Sequence, residues 1–110
     1  MATKEQQEKI QQLQLIEQNL QNLLGQKQQF QSQMFELDGA IKELEITSQA
    51  YKIIGGIMVL TEKEKLKKDL SEKKELVELR ISSIEKQEKQ FKDRAKGLQE
   101  EVLALMKEKK

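Results

Sequence analysis

From Leu13 onward, an apolar side chain recurs every three or four residues. Leu13, Ile16, Leu20, Leu23, Phe30, Met34, Leu37, Ile41 and Leu44 fall on alternating a and d positions of a heptad, and within this run only Lys27 breaks the series. So narrow a stripe cannot wall a globular core, but it is what one helix presents to another in a coiled coil. Composition points the same way. The chain is 35% charged and 36% hydrophobic, with 4% aromatic residues and no proline, which favours long helices over a three-dimensional core. A chain this polar could instead be disordered. The sustained period argues against that. Gly25 and Gly39 both fall at f, on the outer face, where neither interrupts the seam.

The rhythm returns in the second half. Leu70, Val77, Ile81, Ile84, Phe91, Ala95, Leu98, Val102 and Leu105 keep it, with Lys67, Lys74 and Glu88 as interruptions. Thr61 followed by Glu64 reads as a capping box opening this second helix. Between the two helices lies a block of another kind, AYKIIGGIMVL. Its β-branched residues flank Gly55 and Gly56, and two adjacent residues free to adopt positive φ mark a two-residue β-hairpin. Pairing about that turn sets Ile54 opposite Ile57, Ile53 opposite Met58, Lys52 opposite Val59 and Tyr51 opposite Leu60. Both faces of the ribbon are then mainly apolar.

These segments predict an all-α dominated fold. It has helix 1 over 4–46, a β-hairpin over 50–61 and helix 2 over 62–108, all in one domain. Folding back about the two glycines brings Leu13 to Leu98, Leu20 to Phe91, Phe30 to Ile81 and Ile41 to Leu70. Each pair joins an a to a d position, as an antiparallel coiled coil requires. Lys27 falls near Glu85 and Glu88, which predicts an ion pair between the helices. Residues 1–50 carry 4 lysines and 7 acids, whereas 51–110 carry 16 basic residues and 12 acids, so the two arms attract.

The exclusions are broad. With neither Cys nor His, zinc sites, disulfides and thiol or imidazole catalysis are ruled out, and no cofactor is expected. No apolar stretch of about 18 residues is present, and the polar start MATKEQQEK has no signal-peptide core. The expectation is a cytoplasmic protein that does not cross a membrane. A net charge of +1 gives no reason to bind nucleic acid, and the basic stretch 63–74 has interspersed acids and no aromatic residues. The carboxylates lie on solvated helix faces and Ser82 and Ser83 have no base, so the chain is not expected to be an enzyme. A coiled-coil factor that inserts a metal-holding tip into a polymerase channel would need an acidic tip, and this one is apolar.

Two regions are left with surplus apolar surface. An isolated hairpin is marginal in water, and this one would expose both faces and two strand edges. Residues 50–61 therefore read as an assembly module that builds a sheet from several chains. A local plug over the coiled-coil end would leave half of that surface wet. At the opposite end, Ile10 (e), Leu15 (c), Leu103 (b) and Met106 (e) lie off the seam. The nearby seam residues Leu13, Ile16, Leu98, Val102 and Leu105 are loosely covered, because helix ends fray. Flexible apolar patches of this kind suit varied hydrophobic partners. Leu76, Leu79 and Phe35 are also off the seam but lie along the shaft, so off-seam apolar residues need not mean client binding. The second reading is a structural coiled-coil adaptor without client binding.

The block YKIIGGIMVLTEKEKLKKDLSEKKELVELRISSIEKQEKQF resembles β-class prefoldin subunits of archaeal type. Tyr51 and Lys52, the turn at Gly55 with its β-branched strand, Thr61 before a Lys/Glu-rich helix, 76–80, and Gln87 with Glu88 carry the resemblance. The first helix matches in Gln-rich style and length. The segment between Leu44 and Tyr51 lacks the acidic turn usual in the family. The resemblance implies an ATP-independent chaperone, a holdase, that hands unfolded proteins to a group II chaperonin. It implies a hexamer of two α-type and four β-type subunits, in which hairpins join into intersubunit β-barrels. By this resemblance 51–54 and 57–60 are barrel strands, so that Tyr51, Ile53, Ile54, Gly55, Gly56, Ile57, Met58, Val59 and Leu60 serve oligomerisation. Ile10, Leu13, Leu15, Ile16, Leu98, Val102, Leu103, Leu105 and Met106 are then the client contacts. A single hairpin fits the β-class, since α-class subunits carry two.

Overall fold

The computed structural model describes residues 3–108. In chain order the elements are α1 (Lys4–Ile46), β1 (Ala50–Ile54), β2 (Ile57–Thr61) and α2 (Lys63–Glu108).

Helix α1 opens with a capping box. The Thr3 backbone N–H donates to Gln6 Oε1 at 3.0 Å, and the Gln6 N–H donates to Thr3 Oγ1 at 3.2 Å. Two otherwise unpaired groups at the helix start are thereby satisfied reciprocally, and Gln6 is buried as a result. The box expected at Thr61 and Glu64 is a correction. Thr61 occupies the last ladder position, opposite Ala50, and α2 begins at Lys63, with the Glu62 carbonyl accepting from the Leu66 N–H at 3.0 Å. Strand pairing holds Thr61 in extended backbone, so helix 2 starts one residue later than the sequence suggested. At the other end of α1, the last turn has no basic residue of its own. Lys63 from α2 supplies one, its Nζ donating to the Glu45 carbonyl at 3.4 Å, where a cation satisfies the helix end.

β1 and β2 pair antiparallel as Ala50–Thr61, Tyr51–Leu60, Lys52–Val59, Ile53–Met58 and Ile54–Ile57. This is the register that a two-residue turn dictates. Gly55 has φ 55° and Gly56 φ 81°, the double positive φ that a right-handed strand twist needs and that side chains resist.

Two compact units divide the chain. One joins the described residues up to Lys27 with those from Ser83 onward, and the other comprises Gln28–Ser82. Within the first, Lys9 pairs with Glu101 and Lys27 with Glu88. Within the second, Asp38 pairs with Lys74 and Glu45 with Lys67. In each unit the α2 partner falls as the α1 number rises, so the helices run antiparallel.

Every expected seam position is buried or half-buried, and none is exposed. Ile16, Leu23 and Leu44 of α1 and Val77, Ile84 and Leu98 of α2 are the most covered. Among the described residues no large side chain is sealed completely, as a two-helix seam dictates. Gly25, Gly39 and Gly97 sit inside helices, and a Cβ at any of them would meet nothing within 4 Å. Each Gly→Ala change is therefore expected to stabilise the protein by about 0.4–1 kcal/mol through the unfolded state and helix propensity. Thermal melts of the three single variants test this. A lower melting temperature at any of them would show a constraint on that backbone.

Candidate functional site

The hairpin stands almost wholly in water. On one face, Tyr51, Ile53, Met58 and Leu60 are exposed. On the other, Ile54, Ile57 and Val59 are exposed as well, and only Ala50 is buried. Ile53 at 72% and Met58 at 67% exposed form a cross-strand pair with no intrachain cover. Tyr51 Oη donates to Gln49 Oε1 at 3.0 Å, which ties its ring to the segment entering the strand. β1 and β2 make a two-stranded sheet, so each has one unpaired edge open to strand addition.

The residues expected to meet clients all fall in the first unit, and they divide by exposure. Ile10, Leu15, Leu103 and Met106 are exposed, Leu15 and Met106 at 59% and 60%. Leu13, Val102 and Leu105 are half-buried. Ile16 and Leu98 are buried in the seam and help to hold the helices together. The exposed four lie off the heptad seam, so their apolar surface is not used in helix pairing.

The polar interruptions of the seam find partners within each unit. Lys27 Nζ lies 2.8 Å from Glu88 Oε1, with Glu88 buried. This is one of the two partners expected from the fold-back. The hydrogen bond to Glu88, with the added charges of Glu88 and Glu85, holds the Lys27 ammonium above its ordinary value despite partial desolvation. Lys74, 2.7 Å from Asp38, is raised by the same kind of hydrogen bond, and Lys67 lies 3.8 Å from Glu45. All three interruptions on α2 thus meet an opposite charge from α1, a detail the heptad pattern marks only as a break. Arg80 lies over the Phe30 ring at 5.6 Å from its centroid, close enough for a cation–π contact.

No described helix is long and apolar enough to cross a membrane, and no cluster of metal-ligating residues occurs among the described residues. What the geometry displays is exposed apolar surface on the hairpin and at off-seam positions of the helices. The class is that of a two-helix coiled coil with a mid-chain β-hairpin.

The comparisons give that class its family. The pattern described as Prefoldin subunit matches residues 7–109, and the chain belongs to the prefoldin family. It is 34% identical over 98 residues to the prefoldin subunit beta of Pyrococcus abyssi, covering 86% of this chain and 84% of that one. The prefoldin subunit beta of Archaeoglobus fulgidus is 32% identical over 100 residues, with 88% and 86% covered. The crystal structure of the prefoldin beta subunit from Thermococcus strain KS-1 superposes with a TM-score of 0.89 at 31% identity, over 94% of this chain and 93% of that one. The architecture and the β-class resemblance read from the sequence are thus borne out. The relatives are named as subunits, and the family assembles from several of them.

Proposed function

We propose that this chain is one subunit of an ATP-independent chaperone that captures unfolded polypeptides at its helix ends and delivers them to a group II chaperonin. The hairpin residues Tyr51, Ile53, Ile54, Ile57, Met58, Val59 and Leu60 join copies of the chain and α-type subunits into one hub, an α2β4 hexamer with an intersubunit β-barrel. The whole chain serves as a single prefoldin-like domain, working in the cytoplasm and needing no catalysis or cofactor.

The observation that carries the reading is the placement of Ile10, Leu15, Leu103 and Met106 in one unit, all exposed. The contacts of a single arm are weak, with each side chain worth on the order of 1–3 kcal/mol when buried. Several arms on a common hub convert later contacts into intramolecular ones at high effective concentration. Weak single contacts also suit release, because a chaperonin competing for the same client can strip them one at a time. Leu13, Val102 and Leu105, half covered, add apolar surface, while Ile16 and Leu98 are buried in the seam.

The test is a variant carrying Ile10→Ser, Leu15→Ser, Leu103→Ser and Met106→Ser, assembled with an α-type subunit and assayed against an aggregating denatured protein. These side chains are exposed, so folding and assembled mass are expected to be unchanged. The molar excess needed to suppress aggregation should rise at least about tenfold, the equivalent of ~1.4 kcal/mol. Suppression equal to wild type at unchanged mass would instead make the chain an assembling adaptor.

A further inference from the structure

Helix α1 carries a seam that could close on a copy of itself. Nine of its ten a and d positions from Leu13 to Leu44 are apolar. From 18 to 35 the helix has a single charged residue, Lys27. The flanking e and g positions of that stretch are Asn19, Leu24, Gln26, Gln31 and Gln33, so no charge beside the seam selects a partner helix, the task such positions usually perform. Without Lys27, this stripe would offer the α1 of a second copy as good a surface as it offers its own α2.

Lys27 occupies an a position, and its ammonium lies 2.8 Å from Glu88 Oε1, the two side chains being 21% and 10% exposed. Both residues belong to the same compact unit. An ion pair this covered adds little net stability, because desolvation of the two charges offsets their attraction, whereas an unpaired charge in the same place is strongly unfavourable. Its worth lies in that difference between partners. Against α2, Lys27 finds a carboxylate. Against the α1 of another copy lying parallel, a faces a, so Lys27 would meet Lys27, and no acid lies between Glu17 and Glu36 to relieve it. Glu88 is restricted in turn, because Lys27 is the only base on α1 between Lys9 and Lys42. The other unit follows the same rule. Lys67 and Lys74, at a positions of α2, meet Glu45 and Asp38, acids that α1 offers at e.

We propose that Lys27 with Glu88 is the partner-selecting element of the arm: it commits α1 to α2 and bars the α1 seams of two copies from zipping together. A single polar residue at an a position fixes register and strand number in coiled coils at some cost in stability, and like charges facing across an interface suppress the wrong partner. When copies gather, each α1 stands at high local concentration beside others. An arm opened by like-helix pairing would separate Ile10 and Leu15 of α1 from Leu103 and Met106 of α2. That link to client capture rests on the function proposed above, whereas the choice of helix partner does not.

The chain has no cysteine, so one introduced thiol reports the choice. Leu20 lies at the a position one heptad before Lys27 and is half-buried. A Leu20→Cys thiol faces its own counterpart only when two α1 helices pair in parallel. The full-length chain is mildly oxidised with this reporter in three backgrounds: native, Lys27→Leu with Glu88→Leu, and Lys27→Glu with Glu88→Lys. The native and charge-exchanged chains are expected to stay unlinked. The chain with both leucine substitutions is expected to give at least about tenfold more disulfide-linked dimer on a non-reducing gel, with helical circular dichroism equal in all three. A swapped dimer that keeps α1 against α2 sets the thiol beside Phe91 and yields no link. If the doubly leucine-substituted chain links no more than the native one, the proposal is overturned, because the apolar seam then chooses α2 unaided. Linkage of the charge-exchanged chain at the leucine level overturns it as well, since opposite charge would then not be what decides.

Discussion

A chain carrying Ile53→Ser and Met58→Ser is expected to lose its assembly while keeping its helices. The two side chains face each other across the strands and are 72% and 67% exposed, so the isolated chain gains little from them, and exposed changes of this kind usually cost within about 0.5 kcal/mol. In an assembled sheet the same side chains are buried. Removing about 1.5–3 kcal/mol for each weakens association per subunit by roughly 10²–10⁴-fold. Light scattering with an α-type subunit present should show the wild type as a multi-subunit particle and the variant as free chains, with equal helical circular dichroism. Retention of the particle would remove the hairpin from assembly. The two-sided exposure sharpens the argument. A sheet with one wet polar face would tolerate solitude, whereas this ribbon has no such face.

The second large effect is expected in the seam. Ile84 is 5% exposed, and Ile84→Ala should lower stability by about 2–3 kcal/mol, the transfer term plus the void left behind. In a chain of this size that corresponds to a drop of ~10 °C in melting temperature. Leu79, five residues earlier on the same helix, is 68% exposed, and Leu79→Ala should change stability by no more than ~0.5 kcal/mol. Thermal melts of the two variants measure the contrast. Equal losses would mean that the heptad assignment on α2 is wrong, because the two leucine-sized side chains differ in seam position rather than in chemistry.

Much of the candidate site was legible because its signals are local. The off-seam positions of Ile10, Leu15, Leu103 and Met106 follow from counting heptads, and all four are exposed. Ile16 and Leu98 show where counting stops. Fraying predicts loose cover for these seam residues near the helix ends, yet both are buried. Thr61 shows a local signal overridden. Its spacing to Glu64 is that of a cap, but a strand ladder claimed it, while the smaller signal of Thr3 and Gln6 produced the real capping box. Ile46 closes α1 beyond the last seam residue, and its exposure shows only in the structure.

The residues themselves determined the helices, the seam, the turn and the strand register. Each of these depends on spacing along the chain or on the φ that glycine permits, and so needs no knowledge of distant neighbours. Tertiary structure alone decided that Lys67 and Lys74 would each meet an opposite charge, and that Lys27 would take Glu88 rather than Glu85. Those outcomes depend on how far each helix is rotated about its own axis against its partner, a quantity set by all the seam contacts together and written in no single stretch of sequence.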